Sequence, residues 1–237
     1  CYLIFLVILG LPVMTMEFAV GRASQKSPVK AYQALEKPGQ KWHIHGYITV
    51  IGCYLLMMFY TTVSGWMLHY FYLTATGKFA GLDADQVGGV FNEMLSQPLV
   101  MAFWMIVVVA IGIFVCSRGL QNGLEKITKV MMIALLAIMV VLAINSIMMD
   151  GAAEGLKFYL IPDFGRMKEL GIGYTIVTAM NQAFFTLSLG IGAMAIFGSY
   201  IGKERSLLGE SANIAILDTF VAIVSGLIIF PACFTFG

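Results

Sequence analysis

Charged residues are scarce in this chain. Only 11% of its 237 residues are Asp, Glu, Lys or Arg, whereas 59% are hydrophobic, and the mean hydropathy is +0.88. A soluble domain carries about 25% charged residues and about 45–50% apolar ones. The composition therefore excludes a soluble globular enzyme and a disordered protein. The formal net charge of +1 indicates no surface for binding nucleic acid. What remains is a protein that crosses a membrane several times.

The sequence also has few cysteines and none of the common catalytic motifs. The cysteines lie far apart inside apolar runs, which favours small core residues over disulfides or metal ligands. HExxH, GxSxG and P-loop motifs are all absent, so we expect no enzymatic activity, that of a membrane-embedded hydrolase included. The four cysteines are Cys1, Cys53, Cys116 and Cys233.

Six apolar stretches are long enough to cross a bilayer, which takes about 20 residues of α-helix. None shows the alternating pattern of a β-barrel strand. The sequence therefore predicts an all-α polytopic membrane protein with a single transmembrane domain over 1–237. The predicted spans are about 1–22, 45–76, 98–117, 127–149, 171–201 and 211–236.

Lysine and arginine are unevenly distributed among the loops. The loops after the first, third and fifth spans hold ten of them, and the other two loops hold four. Positively charged loops stay in the cytoplasm, so we expect a multi-pass protein of the cell membrane whose first helix runs from outside to inside. Within the loops, residues 29–36 should form a short amphipathic helix ended by Pro38-Gly39. Pro162-Asp163 predicts a turn in the loop before the fifth span.

Two carboxylates lie well inside predicted spans, Glu17 and Asp218. A charge at membrane depth is costly and usually faces a bundle interior, an ion path or a partner. Glu17 has a second interpretation as a near-interface residue close to Arg22. Asp218 has no basic residue nearby in its helix, which favours a functional role.

The fifth predicted span contains two glycines, Gly190 and Gly192, near its middle. Each glycine lowers helix stability by about 0.8–1 kcal/mol relative to alanine. The pair predicts a break at mid-membrane, between residues 186 and 192, whose free backbone groups could bind an ion and a zwitterionic solute. The alternative, a GxG that only lets helices pack closely, is equally compatible with the spacing.

The segment 181–190, NQAFFTLSLG, resembles the broken sixth helix of neurotransmitter:sodium symporters of the bacterial amino-acid branch. Residues 10–22, 59–66 and 217–231 resemble the second, third and seventh helices of that family, in the same order. The resemblance implies an inverted-repeat symporter fold of which this chain holds helices two to seven. The chain also starts within an apolar run without an initiator methionine. We therefore expect an internal fragment that is inactive alone, because the first and eighth helices carry part of the sites.

The same resemblance implies roles for individual residues. Glu17 would brace the unwound backbone. Thr186 and Asp218 would be the sodium ligands, with Tyr2 and Gln182 around the ion site. The substrate would contact Leu56, Tyr60, Phe185, Ser188 and Ile191.

Two positions bear on whether the protein requires chloride. Chloride-dependent members that this chain resembles have asparagine at the position of Asp218 and serine at that of Ala222. A fixed carboxylate can balance the charge of sodium and would repel a second anion. We therefore expect Na⁺ to be used without chloride.

The resemblance implies a sodium-coupled symporter that moves an amino acid or related amine by alternating access. Its partners would be this small-molecule substrate and the lipid bilayer, with no nucleic acid, and a homodimer is compatible with this interpretation. The alternative is a non-transporting solute sensor or subunit built on the same fold.

Overall fold

A computed structural model describes residues 1–119, 125–149 and 151–236, without the side chains of 84, 85 and 236. All regular structure in these ranges is helical, as the composition predicts. Residues 120–124, in the predicted loop between the third and fourth spans, and residue 150 lie outside the described part. The helices are α1 (Tyr2–Phe5), α2 (Leu11–Ser24), α3 (Pro28–Leu35), α4 (His43–Ala75), α5 (Ala84–Leu95), α6 (Pro98–Ser117), α7 (Lys126–Ile147), α8 (Ala152–Leu160), α9 (Phe164–Leu170), α10 (Ile172–Thr186), α11 (Ala193–Gly198) and α12 (Leu207–Phe236).

Five helical stretches in the described ranges are long and apolar enough to cross a membrane. They correspond to the first, second, third, fourth and sixth predicted spans, so the chain is a multi-pass membrane protein. These stretches are Tyr2–Ser24, His43–Ala75, Pro98–Ser117, Lys126–Ile147 and Leu207–Thr235.

The first of these stretches contains a π-helical turn at Leu6–Gly10, between α1 and α2. The N–H of Leu11 bonds to the carbonyl of Leu6, five residues back. Pro12 follows directly; because proline has no N–H, the carbonyl of Ile8 loses its helical partner. A wide turn next to such a residue lets the chain continue as a helix.

The fifth predicted span is two short helices, α10 and α11, separated by residues 187–192. The predicted break between residues 186 and 192 is therefore confirmed. Glycine at 190 and 192 adopts the left-handed conformation, with φ of 82° and 74°, which a residue with a Cβ rarely adopts. A continuous helix is thus interrupted where the sequence is richest in glycine.

The shorter helices match the predictions made from the sequence only in part. α3 forms where a short helix is predicted, and α8 and α9 are separated at Pro162-Asp163. The Asp163 side chain caps α9 by accepting from the N–H groups of Gly165 and Arg166, at 2.9 and 3.1 Å. α5 was not predicted, although Asp83 and Gln86 form a reciprocal capping box at its start.

The cysteines are free, as predicted. The prediction that they are core residues is wrong for three of them, since Cys1, Cys116 and Cys233 are exposed and Cys53 is partly buried. On a helix apolar all round, an apolar residue can face lipid or another helix rather than the interior of its own chain.

The described chain divides into two compact units, and α4 and α7 each contribute to both. The first unit contains residues 1–54 and 142–235 and the second contains residues 55–141. A buried core in the first unit joins the start of the chain to α10, the break and α12. Its members are Leu6, Met14, Phe18, Ala183, Leu187, Leu189, Leu207 and Ala215.

Within the first unit, α11 packs directly on α2. A Cβ at Gly21 would overlap the backbone carbonyl of Ala195, and one at Gly198 would lie 2.6 Å from the carbonyl oxygen of Phe18. Small residues let helix backbones approach closely in membranes. The second half of the broken helix is therefore held against α2 by backbone-to-backbone contact.

The second unit has an aromatic cluster where α4, α5 and α6 meet. His69 stacks on Trp104 with ring centroids 5.5 Å apart, and Trp66 packs edge-on against Phe91 at 6.0 Å. Gly65 makes room for α6, since a Cβ there would lie 2.9 Å from the backbone nitrogen of Met105. These contacts connect three helices of this unit.

Candidate functional site

The break between α10 and α11 is an ordered turn. The N–H of Ser188 donates to the carbonyl of Phe185 at 3.1 Å, and that of Leu189 donates to Phe184 at 3.0 Å. Ser188 has a φ of 52°, the left-handed conformation typical of the residue that follows a helix in a Schellman cap. This conformation costs a non-glycine residue about 1–2 kcal/mol. The turn is therefore held by its surroundings.

Glu17 holds the break from α2. Its Oε1 accepts a hydrogen bond of 2.7 Å from the N–H of Gly190. Its Oε2 is buried and has no hydrogen-bond partner among the described residues. A bond to a charged acceptor is stronger than one between neutral groups. Glu17 therefore contacts the break directly, and its role as a brace stays a prediction.

The structure brings together Thr186 and Asp218, the two predicted sodium ligands. Thr186 is the last residue of α10, and its hydroxyl donates to Asp218 Oδ2 at 2.9 Å. Since the hydroxyl proton points toward the carboxylate, the lone pairs of Thr186 Oγ1 remain available to accept. The pair presents a negative charge and a neutral oxygen side by side.

Tyr2 and Gln182, the residues predicted to surround the ion site, differ in their exposure. The Tyr2 hydroxyl is buried and lies within hydrogen-bonding reach of the Thr186 side chain, with Asp218 nearby. Gln182 lies one turn before Thr186 on α10 and is exposed. Positions four apart share a helix face, so Gln182 lies on the same side of α10 as Thr186.

The predicted substrate residues belong to both compact units. Phe185 is 51% exposed. Ile191 is partly buried, and its side chain lies 3.9 Å from where a Cβ of Gly52 would be. Leu56 and Tyr60 lie in the part of α4 that belongs to the second unit. Their contact with a substrate stays a prediction.

Two tyrosines in the first unit were not among the site residues predicted from the sequence. Tyr32, on α3, is an electrostatic neighbour of Glu17: burial raises its pKa, and the nearby carboxylate raises it further. The Tyr32 ring packs edge-on against His45 at 5.0 Å. Tyr159, on α8, places its hydroxyl 3.5 Å from the carbonyl oxygen of Ala222 on α12. Both lie between predicted spans, Tyr32 in the predicted short helix and Tyr159 in a predicted loop, and no local pattern shows which distant residue such a side chain contacts.

The chemistry of the Thr186–Asp218 pair suits a hard cation. Carboxylate and hydroxyl oxygens are the ligands that such cations prefer. No group of three His, Cys, Asp or Glu side chains that could hold a transition metal occurs among the described residues. An alkali cation beside Asp218 would have its charge balanced by the carboxylate.

Comparison with known protein families gives a match over almost the whole chain. Residues 1–87 and 90–236 match the model described as the sodium:neurotransmitter symporter family.

Individual relatives are also named as sodium-dependent transporters. The chain is 36% identical over 236 residues to an uncharacterized sodium-dependent transporter, YhdH, of Bacillus subtilis, covering 100% of this chain and 51% of that protein. Identity is 22% to a sodium-dependent serotonin transporter of Drosophila melanogaster, with coverage of 97% and 41%. It is 21% to the sodium-dependent neutral amino acid transporter B(0)AT2 of Rattus norvegicus, with coverage of 97% and 34%. The chain spans about half the length, or less, of these curated relatives.

Proposed function

Because this chain belongs to the sodium:neurotransmitter symporter family, we propose that the protein containing it is a sodium-coupled symporter. Its substrate is an amino acid or a related amine, moved by alternating access. The observation that carries this proposal is the ordered break at residues 187–192 with the Thr186–Asp218 pair at its edge. The names of its relatives support the substrate class, since one carries serotonin and another carries neutral amino acids.

Sodium binds beside Asp218 in this proposal. The Thr186 hydroxyl, oriented by its 2.9 Å bond to the carboxylate, offers a lone pair to the ion. The carboxylate supplies the balancing charge, which matters most where water is scarce. Tyr2 and Gln182 surround the ion from α1 and α10.

The substrate binds at the break itself. Unwound backbone at Ser188 offers polar groups to a zwitterion, as broken helices in transporters do. Tyr60 holds the substrate carboxylate, and Phe185 covers the substrate against water. Leu56 and Ile191 line the pocket for its side chain.

Glu17 keeps this binding geometry in place. By accepting from the N–H of Gly190 at 2.7 Å, it ties the break to α2. The contacts of Gly21 with Ala195 and of Gly198 with Phe18 tie α11 to the same helix. The break thus stays open while other parts of the transporter move.

Transport in this proposal needs no chloride. Asp218 supplies a fixed negative charge next to the sodium site, and Ala222 offers no side-chain hydroxyl to an anion on the same face of α12. A chloride ion beside Asp218 would be repelled. The fragment 1–237 alone does not transport, and the activity belongs to the longer protein.

Uptake by the full-length protein in proteoliposomes tests this proposal. An inward sodium gradient should drive accumulation of at least one radiolabelled amino acid or amine from a panel. An equal potassium gradient, the matched control, should not. Sodium-dependent binding without accumulation would contradict symport and indicate the sensor instead.

A further inference from the structure

The short helix α3 begins directly against the break. A Cβ at Gly192 would lie 2.8 Å from Cγ of Pro28, the first residue of α3, and 3.3 Å from the hydroxyl oxygen of Thr49 on α4. Pro28 is buried. Gly192 has a φ of 74°, a conformation that favours glycine, and the close contact leaves no room for a side chain. The start of α3 therefore packs on the last residue of the break.

The start of α3 also packs closely on α4. A Cβ at Gly46 would lie 2.7 Å from Cα of Val29 and 3.2 Å from the carbonyl oxygen of Pro28. Thr49, about one turn further along α4, is 2% exposed and donates to the carbonyl of Gly46 at 2.7 Å. Close-packed groups of this kind transmit a displacement to their neighbours. Pro28 thus contacts both the break and α4.

The other end of α3 is held on α4 by Glu36. Its carboxylate accepts from the N–H of His43, the first residue of α4, at 3.0 Å, and lies 2.9 Å from Nδ1 of the same residue. The first N–H groups of a helix have no partner within the helix, and a negative charge beside them is favourable. The bond from the His43 N–H also holds the pKa of Glu36 below its usual range, so this acceptor is charged at neutral pH.

A ring contact joins the two helices between these ends. Tyr32 packs edge-on against His45, with ring centroids 5.0 Å apart, and the preceding residue, Ala31, is completely buried. α3 is therefore held on α4 at its start, middle and end. A displacement of α3 relative to α4 would move Pro28 and, with it, the contact at Gly192.

We propose that Pro28 is a positioning residue of the break, and that Glu36 acts through it by holding α3 on α4. Glu17 contacts the break at Gly190 from α2, and Pro28 contacts it two residues later from α3. The backbone of the break is then fixed from two helices. This inference rests on the proposed function, because it takes the break to be the place where the substrate binds.

The test measures equilibrium binding to the full-length protein at saturating sodium, with the radiolabelled amino acid or amine that the uptake panel identifies. Pro28→Ala removes two buried CH₂ groups, so the affinity should fall about four- to fifteenfold. Pro98→Ala is the matched control, because Pro98 is also the first residue of its helix, α6, and is exposed. It should bind like the wild-type protein.

Variants of Glu36 test the action through α3. Glu36→Ala leaves the N–H of His43 without its acceptor and should weaken substrate binding, by less than Pro28→Ala because Glu36 acts at a distance. Glu36→Gln keeps an acceptor and should restore most of the affinity. Gln33→Ala, an exposed position on the same helix, should have no effect.

A double-mutant cycle separates positioning from stability. Glu36→Ala and Pro28→Ala should be non-additive in their effect on affinity, because the first acts through the second. A purely structural role of Glu36 would lower the melting temperature of Glu36→Ala and leave substrate affinity below that temperature unchanged.

The outcomes distinguish this inference from the proposed function. An unchanged affinity in folded Pro28→Ala, or an equal loss in Pro98→Ala, overturns the role of Pro28 alone. Where Pro28→Ala does not fold, equal affinities for Glu36→Ala and Glu36→Gln overturn it. Substrate binding by the wild-type protein that does not depend on sodium overturns the proposed function and this inference with it.

Discussion

Two carboxylates inside the predicted spans, Glu17 and Asp218, have different partners. Glu17 accepts from a backbone N–H at the break, whereas Asp218 accepts from a threonine hydroxyl. An unpaired carboxylate at membrane depth is costly, and each of these is partly compensated by a single donor. The remaining negative charge is what a cation would balance. At the level of single residues, the pair with Thr186 is the more suitable for an ion because both of its groups are side-chain oxygens.

The hydrogen bond from the Gly190 N–H to Glu17 should contribute measurably to substrate binding. Glu17→Ala leaves that N–H unpaired, so substrate binding by the full-length protein should weaken by about 1–3 kcal/mol, roughly five- to 150-fold in affinity. Glu17→Gln keeps a neutral acceptor and should lose less. Isothermal titration with the transported substrate measures both variants.

Met16→Ala is the matched control for this prediction, because Met16 is the preceding residue on α2 and is 58% exposed. It should bind substrate like the wild-type protein. Equal affinities for Glu17→Ala and Met16→Ala would show that the break does not depend on the carboxylate.

At the scale of helices, the break depends on the close packing of α11 against α2. Gly21 and Gly198 allow the two backbones to touch, and Glu17 adds a hydrogen bond close to the same contact. The first half of the broken helix, α10, ends in its own cap at Ser188. The two halves are thus fixed independently, which is why the chain between them can stay unwound.

Replacing one of these glycines should separate the helices. Gly198→Ala places a methyl group 2.6 Å from the Phe18 carbonyl oxygen, and overpacking of this kind costs about 1–3 kcal/mol. The melting temperature of the purified full-length protein should fall. In Gly112→Ala, where no atom lies within 4 Å of the new methyl group, it should not fall. Equal melting temperatures for the two variants would contradict the packing argument.

The sequence predicted the helices whose signal is local. Long apolar runs define the five membrane-length helices, and glycine at 190 and 192 indicates the break. α5 was missed although Asp83 and Gln86 carry a capping box, because the outer loop was interpreted from its acidity alone. The contacts of Tyr159 with α12 could not be predicted, since they join residues more than 60 positions apart and depend on how two helices pack.

At the scale of the whole molecule, the predicted site residues divide between the two compact units. Both proposed sodium ligands and the brace lie in the first unit, together with Phe185, Ser188 and Ile191, whereas Leu56 and Tyr60 lie in the second. The hydrogen bond between Thr186 and Asp218 lies within the first unit, so the proposed ion site is supported by contacts of that unit alone.

The central claim is that the carboxylate of Asp218 balances the charge of sodium in place of an anion. Its most direct test is the initial rate of sodium-driven uptake by the full-length protein with all chloride replaced by gluconate. Asp218→Asn combined with Ala222→Ser is the control, and its uptake should require chloride. The wild-type protein should take up substrate in gluconate at an unchanged rate, whereas a large loss of uptake there would show that Asp218 does not replace the anion.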